Sequence, residues 1–141
     1  MPLLIAAIAC ASQPAGSKTV PVVTISQLTE VPASGLVVPS TGLPIDYQIE
    51  ITNSLDQPVT LTSIEVETVG TSGAYAMPRV QHAFSRSIAA RGVDTLQIRA
   101  WVFPLQQDVK GQSNGPVMVR GLARFRSDAG STHSTFAARV Q

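Results

Sequence analysis

This 141-residue chain is poor in cysteine, charge and aromatic rings: it has one Cys, one Trp and two His. A single Cys excludes an internal disulfide framework and a Cys-based zinc site. Charged residues make up 13% of the chain, about half the roughly 25% usual for globular domains, which excludes a charge-rich disordered tail. The net charge of +1 supplies no bulk field for nucleic acid or an anionic membrane surface. No apolar run approaches the roughly 18 residues a membrane-crossing helix needs. No phosphate-cradling Gly loop or dinucleotide fingerprint is present, so neither an enzyme nor a cofactor is indicated. Helical periodicity is missing too: from Val20 onward no window sustains apolar residues at i, i+3, i+4 and i+7.

What the chain does have is β-branched and small polar residues, with 16 Val, 14 Ser and 12 Thr. That composition favours strands joined by short polar turns. The clearest strand is Ile45 to Asn53, where Ile45, Tyr47, Ile49 and Ile51 share one face and Asp46, Gln48, Glu50 and Thr52 the other. One face is dry and the other wet. Val20 to Leu28 forms a strand before it, and Leu36 to Val38 a short extension. Asn53 to Pro58 is a turn, with Asn and Asp side chains able to bond nearby backbone. Val59 to Val69 follows, its apolar parity switching between Leu61 and Ile64, which predicts a bulge near Thr62 and Ser63. Gly70 to Pro78 reads as a Gly-rich loop and Arg79 to Ile88 as a weaker strand. After the turn Ala89 to Gly92, Thr95 to Phe103 points Leu96, Ile98, Ala100 and Val102 inward. Trp101 and Phe103 then face outward and need cover from a loop, a partner or the N-terminal tether. Pro104 to Pro116 is a long polar loop. Val117 to Arg126 and Ser131 to Val140 form a hairpin through Asp128, Ala129 and Gly130. The expected fold is a single all-β, antiparallel two-sheet sandwich of seven to eight strands, immunoglobulin-like, over residues 20–141.

The N-terminus reads differently. Residues 1–9 contain the uninterrupted apolar run Leu3 to Ala9, which is signal-like in length and position. Ala7-Ile8-Ala9-Cys10 resembles the lipobox of bacterial lipoproteins, and the resemblance implies export and lipidation of Cys10. Residues 10–19, with Pro14, Gly16 and several Ser, then form a flexible tether. The expected location is the bacterial cell envelope, anchored to the membrane and facing the periplasm or the exterior.

Two further segments carry a resemblance. The run from Ile49 through Asn53, Asp56 and Pro58-Val59 to Leu61 resembles the strand-turn-strand of immunoglobulin-like and fibronectin type III-like domains of bacterial envelope proteins. The run Ile88 to Ile98, with Gly92 before an alternating strand, resembles their second turn; LEA14/WHy-like domains share both features. The resemblance implies a fold used for binding or spacing rather than chemistry, and hence a structural or protein-interaction module with an unknown protein or envelope polymer as partner. Function does not follow from the fold itself.

Three constellations bear on function. Gly111-Gln112-Ser113-Asn114-Gly115 satisfies G-x-S-x-G and is followed by Asp128 and His133, but that motif works only on a strand-to-helix elbow, and Pro116 with an alternating strand follows here. Ser113 is therefore read as a loop residue. Met77, His82, Met118 and His133 are soft ligands that an exported sandwich could gather around copper, which makes a periplasmic metal-binding protein the alternative. Charge is also unevenly distributed: residues 1–70 hold one base and six acids, net −5, and residues 71–141 nine bases and three acids, net +6. Arg120, Arg124 and Arg126 share one strand face, either as a surface for an anionic partner or paired across strands with Glu50, Glu65 or Glu67.

Overall fold

The computed structural model describes residues 19–30, 40–70, 73–105 and 116–140. Eight strands run in order: β1 (Val22–Gln27), β2 (Leu43–Thr52), β3 (Val59–Thr68), β4 (Tyr75–Ala76), β5 (Val80–Ile88), β6 (Val93–Pro104), β7 (Val117–Ser127) and β8 (Gly130–Val140). Sheet one has the order β1-β2-β6-β4 and sheet two the order β5-β3-β7-β8, and every pairing is antiparallel. The all-β sandwich expected from the alternation is the fold observed. The expected signal-like segment 1–9, most of the tether, Cys10, the extension at Leu36 to Val38, and Ser113 lie outside the described residues.

Alternation sets the interior. Ile45, Tyr47, Ile49 and Ile51 of β2 are buried against Leu61, Ile64 and Val66 of β3, with Leu96, Ile98 and Val102 of β6 and Val119, Ala123 and Phe125 of β7. The bulge on β3 falls where parity predicts it, with the register shifting between Leu61 and Ser63 against both β5 and β7. It lets Val59 and Leu61 on one parity, and Ile64 and Val66 on the other, all reach the core. The expected β7-β8 hairpin is also present, its ladder running from Val117 opposite Val140 to Ser127 opposite Gly130. Gly130, at φ +115°, leads the chain out of the turn Asp128-Ala129 in a positive backbone angle that a residue without Cβ adopts freely.

The segment read as an uninterrupted loop from Gly70 to Pro78 is corrected by β4. Tyr75 and Ala76 pair with Pro104 and Phe103, and Tyr75 and Met77 are buried. Two residues are too few for period-2 alternation to show, and the flanking glycines mask them.

Two links close the sandwich. On one side the Ser134 hydroxyl, buried on β8, donates to the Pro21 carbonyl just ahead of β1, joining the outer strands of the two sheets. On the other, Arg86 of β5 pairs with Asp94 of β6. Within sheet two, Gly121 makes room for the Phe136 ring: a Cβ there would overlap that ring and lie 2.6 Å from the Glu65 carbonyl oxygen.

The most densely bonded polar residue of the interior is Asn53, fully buried at the end of β2. Its Nδ2 donates to the carbonyls of Gln57 (2.9 Å), Ala89 (3.0 Å) and Ile88 (3.4 Å), and its Oδ1 accepts from Leu55 N–H (3.1 Å). Its own N–H bonds the Gly92 carbonyl at 2.8 Å. The β2-β3 and β5-β6 connections, both of which pass between sheets, are therefore held together by one amide. Arg91 N–H adds a bond to Leu55 C=O, and Arg91, in the left-handed region at φ 59°, pairs with Asp56.

Asn53→Ala should lower the unfolding free energy by about 3 kcal/mol, because several buried carbonyls and one N–H lose their partner together. Urea denaturation should show a lower midpoint with an unchanged slope. Gly121→Ala should cost roughly 1–3 kcal/mol through overpacking against Phe136 and backbone, and a further Phe136→Leu change should recover part of that loss by the same measurement.

Candidate functional site

The outer face of sheet two carries the arginines singled out from the sequence. Cross-strand pairing sets Arg120 opposite Glu67 and Leu122 opposite Glu65. Arg120 Nε donates to Glu67 Oε1 at 2.8 Å, and Arg79 Nη2 reaches the same oxygen at 3.2 Å from the β4-β5 connection. Arg124 lies 3.3 Å from Glu65 and 3.5 Å from the Ser63 hydroxyl. Hydrogen bonds from Arg79 and then Arg120 hold the Glu67 carboxyl below its ordinary value, and Glu67 in turn raises Arg79. A shallow depression of about 380 Å³ lies over this ladder, floored by Leu122 and Gly121. Cross-strand pairing therefore accounts for Arg120 and Arg124. Arg126, opposite Thr60, is exposed and has no described carboxylate within salt-bridge distance. Glu50 belongs to sheet one, where it faces Thr24 and Thr95, so it is no partner for these arginines.

On the outer face of sheet one, Asp46 and Arg99 form a bidentate pair at 2.8 and 3.1 Å, and the bond from Arg99 holds the Asp46 carboxyl down. Toward one end of β6, Trp101 (47% exposed) stands opposite Pro44, and Phe103 (42% exposed) opposite Ala76. Gly42, at φ +88°, lets the chain pass so close that a Cβ would lie 2.7 Å from the Val102 carbonyl oxygen. The outward aromatic pair expected from parity is thus present, and among the described residues it stays substantially open to solvent.

Sequence reasoning missed a buried polar chain. The Tyr47 hydroxyl lies 2.6 Å from that of Tyr75, and Tyr75 donates to Gln27 Oε1 at 2.6 Å. Because the Tyr75 proton is engaged with Gln27, Tyr47 is the donor to Tyr75. Burial pushes both phenols above their ordinary value; Tyr47 goes much the further, its bond to Tyr75 adding to the effect. These groups stay protonated and tie β1, β2 and β4 together. A tyrosine standing alone among glycines was the available signal, since a bulky ring in a loop needs burial.

The soft ligands are not brought together. His82 lies on β5 and His133 on β8, the two outer strands of sheet two, with β3 and β7 between them. Three interstrand spacings place them roughly 14 Å apart. Met77 is buried, its N–H bonded to the Thr68 hydroxyl, and Met118 lies opposite Arg139 on β7. Among the described residues no group of three or more His, Cys, Asp or Glu is placed to hold a metal ion. Asp128 sits in the hairpin turn, and His133 pairs in register with Arg124.

No curated protein matches this chain. One family model, the periviscerokinin family, matches residues 70–80 alone. Among solved structures, a late embryogenesis abundant protein determined in solution is similar, with TM-score 0.53 and 12% identity over 84% of this chain and 68% of that one. A structural-genomics target solved by X-ray diffraction has TM-score 0.49 and 14% identity over 86% of this chain and 80% of that one. At 12% identity the likeness to the first of these is one of fold alone.

His82 generates a pH prediction. Its Nε2 is buried without a hydrogen-bond partner among the described residues, and burial lowers its pKa below the ordinary 6.5. Below pH 6.5 the unfolded chain takes up the proton more readily than the folded one, so stability present above pH 6.5 declines as pH falls. Urea midpoints measured from pH 8 to pH 5 should drop for the parent chain and drop less for His82→Gln.

Proposed function

We propose that this chain is a non-enzymatic binding or structural module held at the bacterial cell envelope through a lipid on Cys10, with the sandwich as a rigid platform for partner contact. The observation that carries the reading is the aromatic pair Trp101 and Phe103, exposed at one end of a strand whose inward face is locked in the core. Rings of that size exposed side by side on a β platform favour contact with another surface. The arginine ladder is a secondary surface, since Arg120 and Arg124 bring their own carboxylates and only Arg126 offers a charge without a described partner. The late embryogenesis abundant neighbour is consistent with a sandwich of this kind and supports nothing finer. The anchor rests on the lipobox resemblance at Ala7 to Cys10, and export follows from it.

The anchor is tested by expressing the full chain in a bacterial host fed radiolabelled palmitate, followed by partition into a nonionic detergent phase. The parent chain should be labelled and enter the detergent, whereas Cys10→Ala should be unlabelled and remain in the aqueous phase. An unlabelled parent chain, or a Cys10→Ala variant that still enters the detergent, would remove the lipid anchor.

A further inference from the structure

Among the described residues, sheet one is filled at its fourth position only by the two-residue β4. β6 runs from Val93 to Pro104, with β2 along one flank for ten residues, whereas β4 covers only Phe103 and Pro104 on the other. The direction of each backbone group on β6 can be read from its bonds. Asn53 N–H takes the Gly92 carbonyl on the β2 side, whereas Leu105 N–H donates to Ala74 C=O on the β4 side. Odd-numbered residues of β6 therefore aim N–H and C=O at the fourth position. Among these, Thr95 is already served: its N–H donates to Asp94 Oδ1 at 2.9 Å, and its C=O accepts from Arg86 Nη2 at 3.5 Å. The Arg86–Asp94 pair thus closes one end of the edge, and β4 closes the other. Between them, Gln97, Arg99 and Trp101 present three N–H and three C=O groups to which no described backbone pairs.

The slot has a floor as well as a wall. β1 meets β8 at one side of the sandwich, so the parallel strand orders place the fourth position of sheet one over β5. The side chains of β5 facing that way are Val80, His82 and Phe84, all half-buried. This floor decides the occupant. A second copy pairing its own β6 antiparallel with this edge would lie on the same side of the extended sheet, and its β3 would need the space β5 holds. An isolated extended strand needs no such space, and it would continue the line β4 begins.

We propose that the edge of β6 from Gln97 to Trp101 is a docking site for one extended peptide segment of a partner protein, with alternating apolar and polar residues. Its backbone pairs with Gln97, Arg99 and Trp101, its apolar side chains turn inward onto Phe84, and its polar ones lie outward beside Arg99. Addition of a strand to an open sheet edge is an established recognition mode in which main-chain bonds supply affinity and alternate side chains supply specificity. The inference rests on the reading of this chain as a binding module. Palmitate labelling reports on the anchor and not on the slot, so the failure of one is distinguishable from the failure of the other.

The chain has one tryptophan, and it lies at this edge, so its fluorescence reads the site directly. The probe is an acetylated, amidated peptide Lys-Val-Thr-Val-Thr-Val-Lys titrated into the full chain, beside two versions N-methylated at the Val or at the Thr nitrogens. A saturable Trp101 signal is expected, weakened at least about tenfold by one methylation pattern and little by the other, since only alternate nitrogens face β6. Amide exchange at Gln97, Arg99 and Trp101 should be fast in the free chain and slow when the peptide saturates it. Gln97→Pro removes an N–H that β2 does not use, so it should preserve the circular dichroism spectrum and abolish binding. Should that variant fail to fold, the methylated peptides still decide on the parent chain. No saturable signal, or equal tolerance of both methylation patterns, overturns the proposal. So does protection of these amides in the free chain: concentration-independent protection assigns the slot to this chain's own residues, and protection that grows with concentration assigns it to a second copy.

Discussion

The Asn53 amide is the constraint on which the arrangement of the two sheets depends. Burial of apolar faces drives the sheets together, but hydrophobic attraction is non-directional and does not by itself set how strands connect. One side chain with two donors and an acceptor, fully buried, binds the ends of the β2-β3 and β5-β6 connections at once. Its geometry places Gly92 at the start of β6 against the end of β2, so the ladder from Thr52 opposite Val93 to Leu43 opposite Val102 begins in register. The cost of leaving such a group unpaired makes alternative alignments expensive.

From that registry follows the character of the two sides of the sandwich. At the β1/β8 side the Ser134 hydroxyl ties sheet to sheet. At the other side the Arg86–Asp94 pair spans the gap and also occupies the edge groups of Thr95. Natural sheets blunt open edges with charge in this way. Among the described residues this protection stops after Thr95, and the next three outward residues of β6, with the exposed ring of Trp101 among them, lack it. The outer face of sheet two is different: its arginines are matched by Glu65 and Glu67 across strands, an arrangement that keeps a wet face soluble.

The legibility of these features in the sequence depended on how local each one is. The strands, the β3 bulge and the β7-β8 hairpin were readable because each is written within about ten neighbouring residues as a parity of apolar side chains. The turn role of Asn53 was readable for the same reason, since Leu55 N–H lies two positions away. Its bonds to Ile88 and Ala89 were not, because nothing near Asn53 names a partner on another connection. Tyr75 and β4 escaped for want of length, and the Tyr47–Tyr75–Gln27 chain joins three strands whose adjacency no local pattern encodes.

By itself, then, the sequence determined which side chains face the dry interior and which face water, because a strand's two faces alternate with every residue. The tertiary structure alone decided which strands became neighbours, which cations met a carboxylate, that His82 and His133 stayed on opposite edges of sheet two, and that no described backbone pairs with the flank of β6 between Thr95 and Phe103. The reason is physical: a backbone N–H or C=O is the same at nearly every position, so whether it finds a partner depends on what the rest of the chain brings beside it.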